Sequence, residues 1–301
     1  MPRPAADTSP VIAILGGLLT ALCWTGTSLT SARASRSMGA RSSLALVMLT
    51  GLVVTVPFVV AEPIPAQVSD PPTVVLLGVA GAGNVVGLLL LYRAYHGGLV
   101  APVNAIASTE GAIAAVIAIA LGEVVAPLVG LALAVIALGV AGVAAAGADR
   151  ASTPDDDPAG GAVSGRLALG LAAGAATSFG LSLYAVGQVA IALPIAWAVL
   201  PARVVGVAAI AIPLALTRRW HVTRDGAPWA IASGLLEVLG IVAFAIGARD
   251  AVAVASVLTC LFVPLTAIVA RFLFHERLTR GQVVAIVVVA VGVALLGASR
   301  V

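Results

Sequence analysis

The sequence has no lysine, two cysteines, three histidines and few charges of any kind: only 10% of its 301 residues are acidic or basic. Each shortage excludes something. Cys23 and Cys260 both sit in apolar runs, with no histidine or second cysteine at ligand spacing, so they read as small packing residues and no disulfide or metal site is expected. His96, His221 and His275 are isolated, and no paired-carboxylate metal motif, nucleophile with a base, or Walker A pattern is present. An enzyme or an ATP-driven machine is therefore not expected, nor is any cofactor. The shortage of charge also excludes an ordinary soluble domain, because 61% hydrophobic residues cannot be hidden beneath so little polar cover.

What is present is apolar sequence in runs of about twenty residues, the length a helix needs to cross roughly 30 Å of hydrocarbon. Ten spans are expected, near 11–30, 44–60, 73–92, 100–121, 127–146, 167–187, 193–216, 227–248, 252–274 and 282–297. Arg3, the first apolar run and Ala32-Arg33-Ala34 mimic a cleavable signal, but the run is long for one and has a partner later in the chain, so it is expected to stay as the first span. The chain is thus expected to be all-α and polytopic, with membrane lipids around it.

The pattern occurs twice. Gly81, Asn84 and Gly87 form G-x-x-N-x-x-G, and 153 residues later Gly234, Glu237 and Gly240 form G-x-x-E-x-x-G. Glu123 and Glu276 share that offset, while Gly16 and Gly26 stand 154 residues before Gly170 and Gly180. Three parts follow: a five-helix repeat over 1–148, a polar Pro- and Gly-rich linker over 149–165, and a second repeat over 166–301. Asp155–Asp157 read as part of that solvated linker. Five is odd, so the second half enters the membrane from the opposite side, and two inverted halves give alternating access around a central site.

The formal charge of +3 belongs to topology rather than to nucleic acid. With ten spans both termini lie on one side, whose segments carry Arg3, Arg249 and Arg300. The opposite loops and adjoining span ends carry Arg33, Arg36, Arg41, Arg93, Arg150, Arg166, Arg218, Arg219, Arg224, Arg271, Arg277 and Arg280. The positive-inside rule puts those loops in the cytoplasm and both termini outside.

Ionisable groups inside spans are costly and mark solute or ion pathways. Glu110 and Glu237 are the two carboxylates deep in expected spans. Glu237 is the stronger candidate for coupling, since it is near mid-span and matches Asn84 in the repeat. Arg203, in the seventh span, is placed to hold a substrate carboxylate, pair with a glutamate or snorkel to the interface. Asn104 and Ser108 are four apart and share a helix face that continues to Gly111. Trp24, Tyr184 and Gln188 add stacking and hydrogen-bonding candidates for a small-molecule pocket. Glu123 and Glu276 read as helix-end residues, and Pro264 as a kink in the ninth span.

At the repeat ends the sequence resembles the drug/metabolite transporter superfamily, EamA type. The residues that carry this are Ala248-Arg249-Asp250-Ala251, Ala255-Ser256-Val257, Phe262-Val263-Pro264-Leu265, Phe274-His275-Glu276-Arg277 and Gly281-Gln282. Weaker counterparts are Tyr92-Arg93-Ala94, Val100-Ala101-Pro102-Val103 and Leu121-Gly122-Glu123, with Cys23-Trp24-Thr25-Gly26-Thr27 similar to a W-G-T signature. The resemblance implies a ten-helix exporter of small metabolites such as amino acids in the cell membrane, with a central pocket lined by both halves. A monomer or a homodimer fits this plan. A lipid-handling or scaffold protein is the competing expectation.

Overall fold

The computed structural model describes residues 11–95, 103, 106–146, 164–273 and 279–298. The linker over 149–163, Asn104, His96, His275 and Glu276 lie outside them. Every regular element among the described residues is helical. They are α1 (Val11–Met38), α2 (Ala40–Val60), α3 (Pro71–Tyr95), α4 (Glu110–Ala120), α5 (Pro127–Ala146), α6 (Gly165–Ala192), α7 (Ile195–Leu216), α8 (Ala227–Ala248), α9 (Val252–Thr259), α10 (Phe262–Leu273) and α11 (Arg280–Ala298). Among the described residues eight helical segments are long and apolar enough to cross a membrane, α9 and the start of α10 counting as one, and α4 and α11 are shorter apolar helices. The chain is a helical, multi-pass membrane protein.

The elements run longer or break where local chemistry dictates. α1 extends to Met38, beyond the expected end near residue 30, so its last two turns are a polar stretch that includes Arg33 and Arg36. Gly39 then reverses the chain at φ +76°, a left-handed conformation that glycine adopts without strain.

The ninth span is not one helix. Pro264 has no N–H for the Cys260 carbonyl and its ring crowds that oxygen, so α9 and α10 are separated at Cys260–Leu261. The fourth span, expected as continuous from residue 100 to 121, is also interrupted, by a turn at Ser108–Thr109. Here Thr109 Oγ1 donates to Ile106 O at 2.7 Å and competes for a ladder carbonyl. Thr259 does the same to Ser256 O at 2.7 Å beside the other break. In the seventh span, Pro213 cannot bond to Ala209, and the helix passes through a π-helical turn at Val207–Ala211.

Packing pairs helices across the sequence. α1 lies along α8, α3 along α6, and α5 along α11. The approach is close because glycines face backbone: a Cβ added at Gly16 would lie 2.6 Å from Ala243 O and 2.7 Å from Gly247 Cα. The two spaced-glycine motifs pack alike. Added Cβ atoms at Gly81 and Gly234 would each lie 2.8 Å from a carbonyl oxygen, of Pro201 and Val47 respectively. Those at Gly87 and Gly240 would each meet an aromatic ring, Phe179 at 2.6 Å and Trp24 at 2.7 Å. The two interrupted spans also touch, with Gly111 of α4 against the Ser256 carbonyl and Cys260.

One end of the bundle is tied by charged side chains that close helix termini. Asp250 Oδ2 accepts from the α1 amide of Ala13 at 3.2 Å, and Glu123 Oε1 accepts from the α9 amide of Ala253 at 2.9 Å. Arg249 donates through Nε to Ala190 O at 2.6 Å and through Nη2 to Leu193 O at 2.9 Å, closing the carboxyl end of α6. Burial pushes the Glu123 carboxyl above the ordinary carboxylate range, and the amides of Ala253 and Val252 pull part of that back.

Candidate functional site

Helix α8 carries the centre of the site. Ile231, Leu235, Leu239 and Ile246 are exposed and form one stripe at helical spacing, the face a membrane would cover with lipid. Glu237 lies on the opposite face, among buried Ser233, Gly234 and Gly240. Its side chain is nevertheless 17% accessible, so this exposure comes from inside the bundle.

Arg203 of α7 reaches that carboxylate. Nη1 lies 3.0 Å from Glu237 Oε1 and 3.5 Å from Met48 Sδ of α2, and the side chain is fully buried. Arg203 therefore does not snorkel. Gly51 makes room for it, since a Cβ there would lie 2.7 Å from Arg203 Cδ and 3.1 Å from Nε. The guanidinium is not fully used: Nε and Nη2 are buried with no hydrogen-bond partner among the described residues. Buried arginine N–H groups are normally satisfied, so two open ones require an explanation.

Among the other buried polar atoms that share this condition are Asn84 Oδ1 and Trp24 Nε1. Asn84 Oδ1, on the α3 face away from exposed Val74, Val75 and Leu89, is buried without a partner among the described residues. Asn84 is one turn from Gly81, which contacts Pro201, itself two residues before Arg203 on α7. Trp24 Nε1 is likewise unpartnered. Its indole packs on Gly240, one turn along from Glu237, and meets the Phe262 ring edge-on at 5.9 Å and 81°. Thr25 Oγ1 donates to Phe262 O at 3.3 Å, so α1 touches both Glu237's helix and the break in the ninth span.

The other candidates lie elsewhere. Glu110 is half-buried at the start of α4, and its carbonyl faces Gly180 of α6. Ser108 is buried in the turn before it. Tyr184 and Gln188 are half-buried on the α6 stripe that continues from exposed Thr177 and Leu181, with Tyr184 near enough to Glu123 to feel its charge. Asn104 is outside the described residues. Sequence reasoning named Glu237 and left Arg203 to hold a solute, pair with a glutamate or snorkel, and it gave no signal for Met48 or Gly51, which are ordinary residues of an apolar run. Among the described residues no group of three or more His, Cys, Asp or Glu is placed to hold a metal ion.

No family model matches the chain, and no curated protein matches it. Twenty-three solved chains do match in structure. One of these, a crystal structure described only as that of a protein, superposes with a TM-score of 0.73 at 18% identity, covering 96% of this chain and 98% of the other. The fold therefore exists in an experimental structure over essentially the whole length.

Proposed function

We propose that this protein is a secondary transporter of small metabolites that works by alternating access around the Arg203–Glu237 pair. The observation that carries the reading is an accessible carboxylate on the interior face of a membrane-crossing helix, paired with a fully buried arginine. Burying such groups is costly, and they are retained where a solute or ion path needs them. The open polar atoms of Asn84, Trp24 and Arg203 support a site for a polar solute.

In this reading the chain has ten spans in two inverted five-helix repeats, of the EamA drug/metabolite type. The parallel packing of Gly81 with Gly234 and of Gly87 with Gly240 supports the duplication, as do the two interrupted spans that meet at Gly111. The arginine distribution supports an orientation with external termini, and export as the working direction rests on the resemblance to the EamA type. Glu237 is the coupling residue: ionised, it holds Arg203; protonated, it releases that helix contact and lets α7 and α8 move apart.

The test is solute flux in proteoliposomes under an imposed pH gradient, using labelled amino acids, nucleosides and drug-like cations. Flux of one class that follows the gradient, and loses its pH dependence in Glu237→Gln, supports the reading. Identical pH profiles in the two proteins would remove the coupling role, and no flux of any class would favour a lipid-handling or scaffold protein.

A further inference from the structure

The way Glu237 engages Arg203 points to the class of solute, an inference that rests on the transporter reading above. A guanidinium presents its donors on distinct edges. Glu237 and Met48 both use Nη1. The edge left open carries Nε and Nη2, whose two N–H bonds run side by side at the spacing of a carboxylate's two oxygens. Gly51 lets the Arg203 side chain lie close against α2, since a Cβ there would come within 2.7 Å of Cδ and 3.1 Å of Nε. Glu237 is 17% accessible on the interior face, while Arg203 is fully buried beside it. The next open donor along α8 is Trp24 Nε1 at Gly240. Arg203 Nε and Nη2 and Trp24 Nε1 are donors that lack an acceptor, while Asn84 Oδ1 on α3 is an acceptor that lacks a donor.

Charge then dictates a second property. Arg203 and Glu237 together are neutral. A carboxylate on the open edge would leave one excess negative charge in a poorly solvated interior, which is unfavourable unless a proton arrives with it. Glu237 is the group positioned to take it. The other titratable or charged groups on helices packed against α8 are Cys23, Arg33 and Arg36 on α1, Arg41 at the start of α2, and Arg166 and Tyr184 on α6, while α9 carries none. Arg33 lies over Trp229 at the end of the bundle, and Cys23 lies beside Gly240 as a thiol.

We propose that the Nε/Nη2 edge of Arg203 is a subsite for the carboxylate of the transported solute, and that binding loads one proton onto Glu237. Proton and carboxylate then move together, with Arg203 passing from one carboxylate partner to the other.

Isothermal titration calorimetry on the purified full-length chain tests this, with benzoate, phenylalanine, benzamide, phenylalaninamide and tetraphenylphosphonium as probes. Each titration is run in two buffers of different ionisation heat, which counts protons. The expected result is that benzoate and phenylalanine bind while their amides do not. About one proton should be taken up per benzoate, with affinity rising about tenfold per unit fall in pH, and fewer per phenylalanine, whose own ammonium balances its carboxylate. Glu237→Gln should keep carboxylate binding and lose proton uptake. Arg203→Lys, which retains the charge but not the two-pronged edge, should lose the preference for carboxylate over amide. Equal binding of acids and amides to the wild type overturns the proposal without any variant, as does unchanged proton uptake in Glu237→Gln. Glu237-dependent binding of tetraphenylphosphonium alone also overturns it, while leaving the transporter reading in place. Failure of all five probes to bind overturns it too, and the liposome flux above then judges transport separately.

Discussion

Glu237 and Glu123 are both carboxylates set against helices of an apolar bundle, yet they are served differently. Glu123 is answered by backbone amides at the start of α9, and Asp250 by an amide at the start of α1, so their oxygens complete helix ends that would otherwise be open. Arg249 likewise spends Nε and Nη2 on two carbonyls at the end of α6. Arg203 has the same chemistry but leaves the same two nitrogens unmatched. Charge at the end of the bundle is consumed by architecture. Charge in its interior is held in reserve, which separates a joint from a site.

The largest effect should come from breaking the interior pair on one side only. Arg203→Met strands a carboxylate inside the bundle and should cost about 3 kcal/mol or more, whereas Arg203→Met with Glu237→Met should recover most of the loss. Melting of the purified variants in detergent checks this. If the double variant melts no higher than the single one, the pair is not what makes Arg203 costly to remove.

A middle-sized effect should separate the duplicated positions Gly16 and Gly170. Gly16→Ala pushes a methyl into Ala243 O and Gly247, and should cost about 1–3 kcal/mol by forcing α1 from α8. Gly170→Ala meets nothing within 4 Å and should be neutral or slightly stabilising in the same melts.

The helix-end ties should give smaller changes. Arg249→Ala opens two carbonyls of α6 and should lower stability by about 1 kcal/mol. Glu123→Gln keeps an acceptor for Ala253 and removes a charge. Because the folded-state pKa of Glu123 is raised, its ionised form is disfavoured in the native protein. Its contribution to stability is most favourable at low pH and declines as pH rises from the ordinary value of 4.5 through the raised folded-state value. The Gln variant should lack that decline and should match or exceed the wild type in melts at neutral pH. A wild-type protein that gains stability over the same rise, relative to Glu123→Gln, would contradict the sign.

Most helices were legible in the sequence because length and hydropathy alone define a membrane span. The interruption in the ninth span was foreshadowed by Pro264, whose missing N–H acts locally. The one in the fourth was not, because Thr109 acts through a side-chain hydroxyl that an apolar-run reading does not register. Glu237 and Arg203 stood out as ionisable residues in apolar sequence. Pairing with a glutamate was one of the roles open to Arg203, but that Glu237 is the partner was illegible, since it depends on α7 and α8 meeting in space, and so was the glycine that gives Arg203 room. Glu123 was recognisable as a helix-end residue, but the end it closes belongs to α9, well over a hundred residues later in the chain.

The most direct measurement is accessibility of the interior from each side of the membrane. In a Cys23→Ala, Cys260→Ala background, Asn84→Cys in oriented vesicles is treated with a membrane-impermeant thiol reagent from one side or the other. Alternating access predicts modification from both sides, with a transported solute shifting the balance between them. Modification from neither side would contradict a water-reached centre, and modification from one side under every condition would contradict alternation.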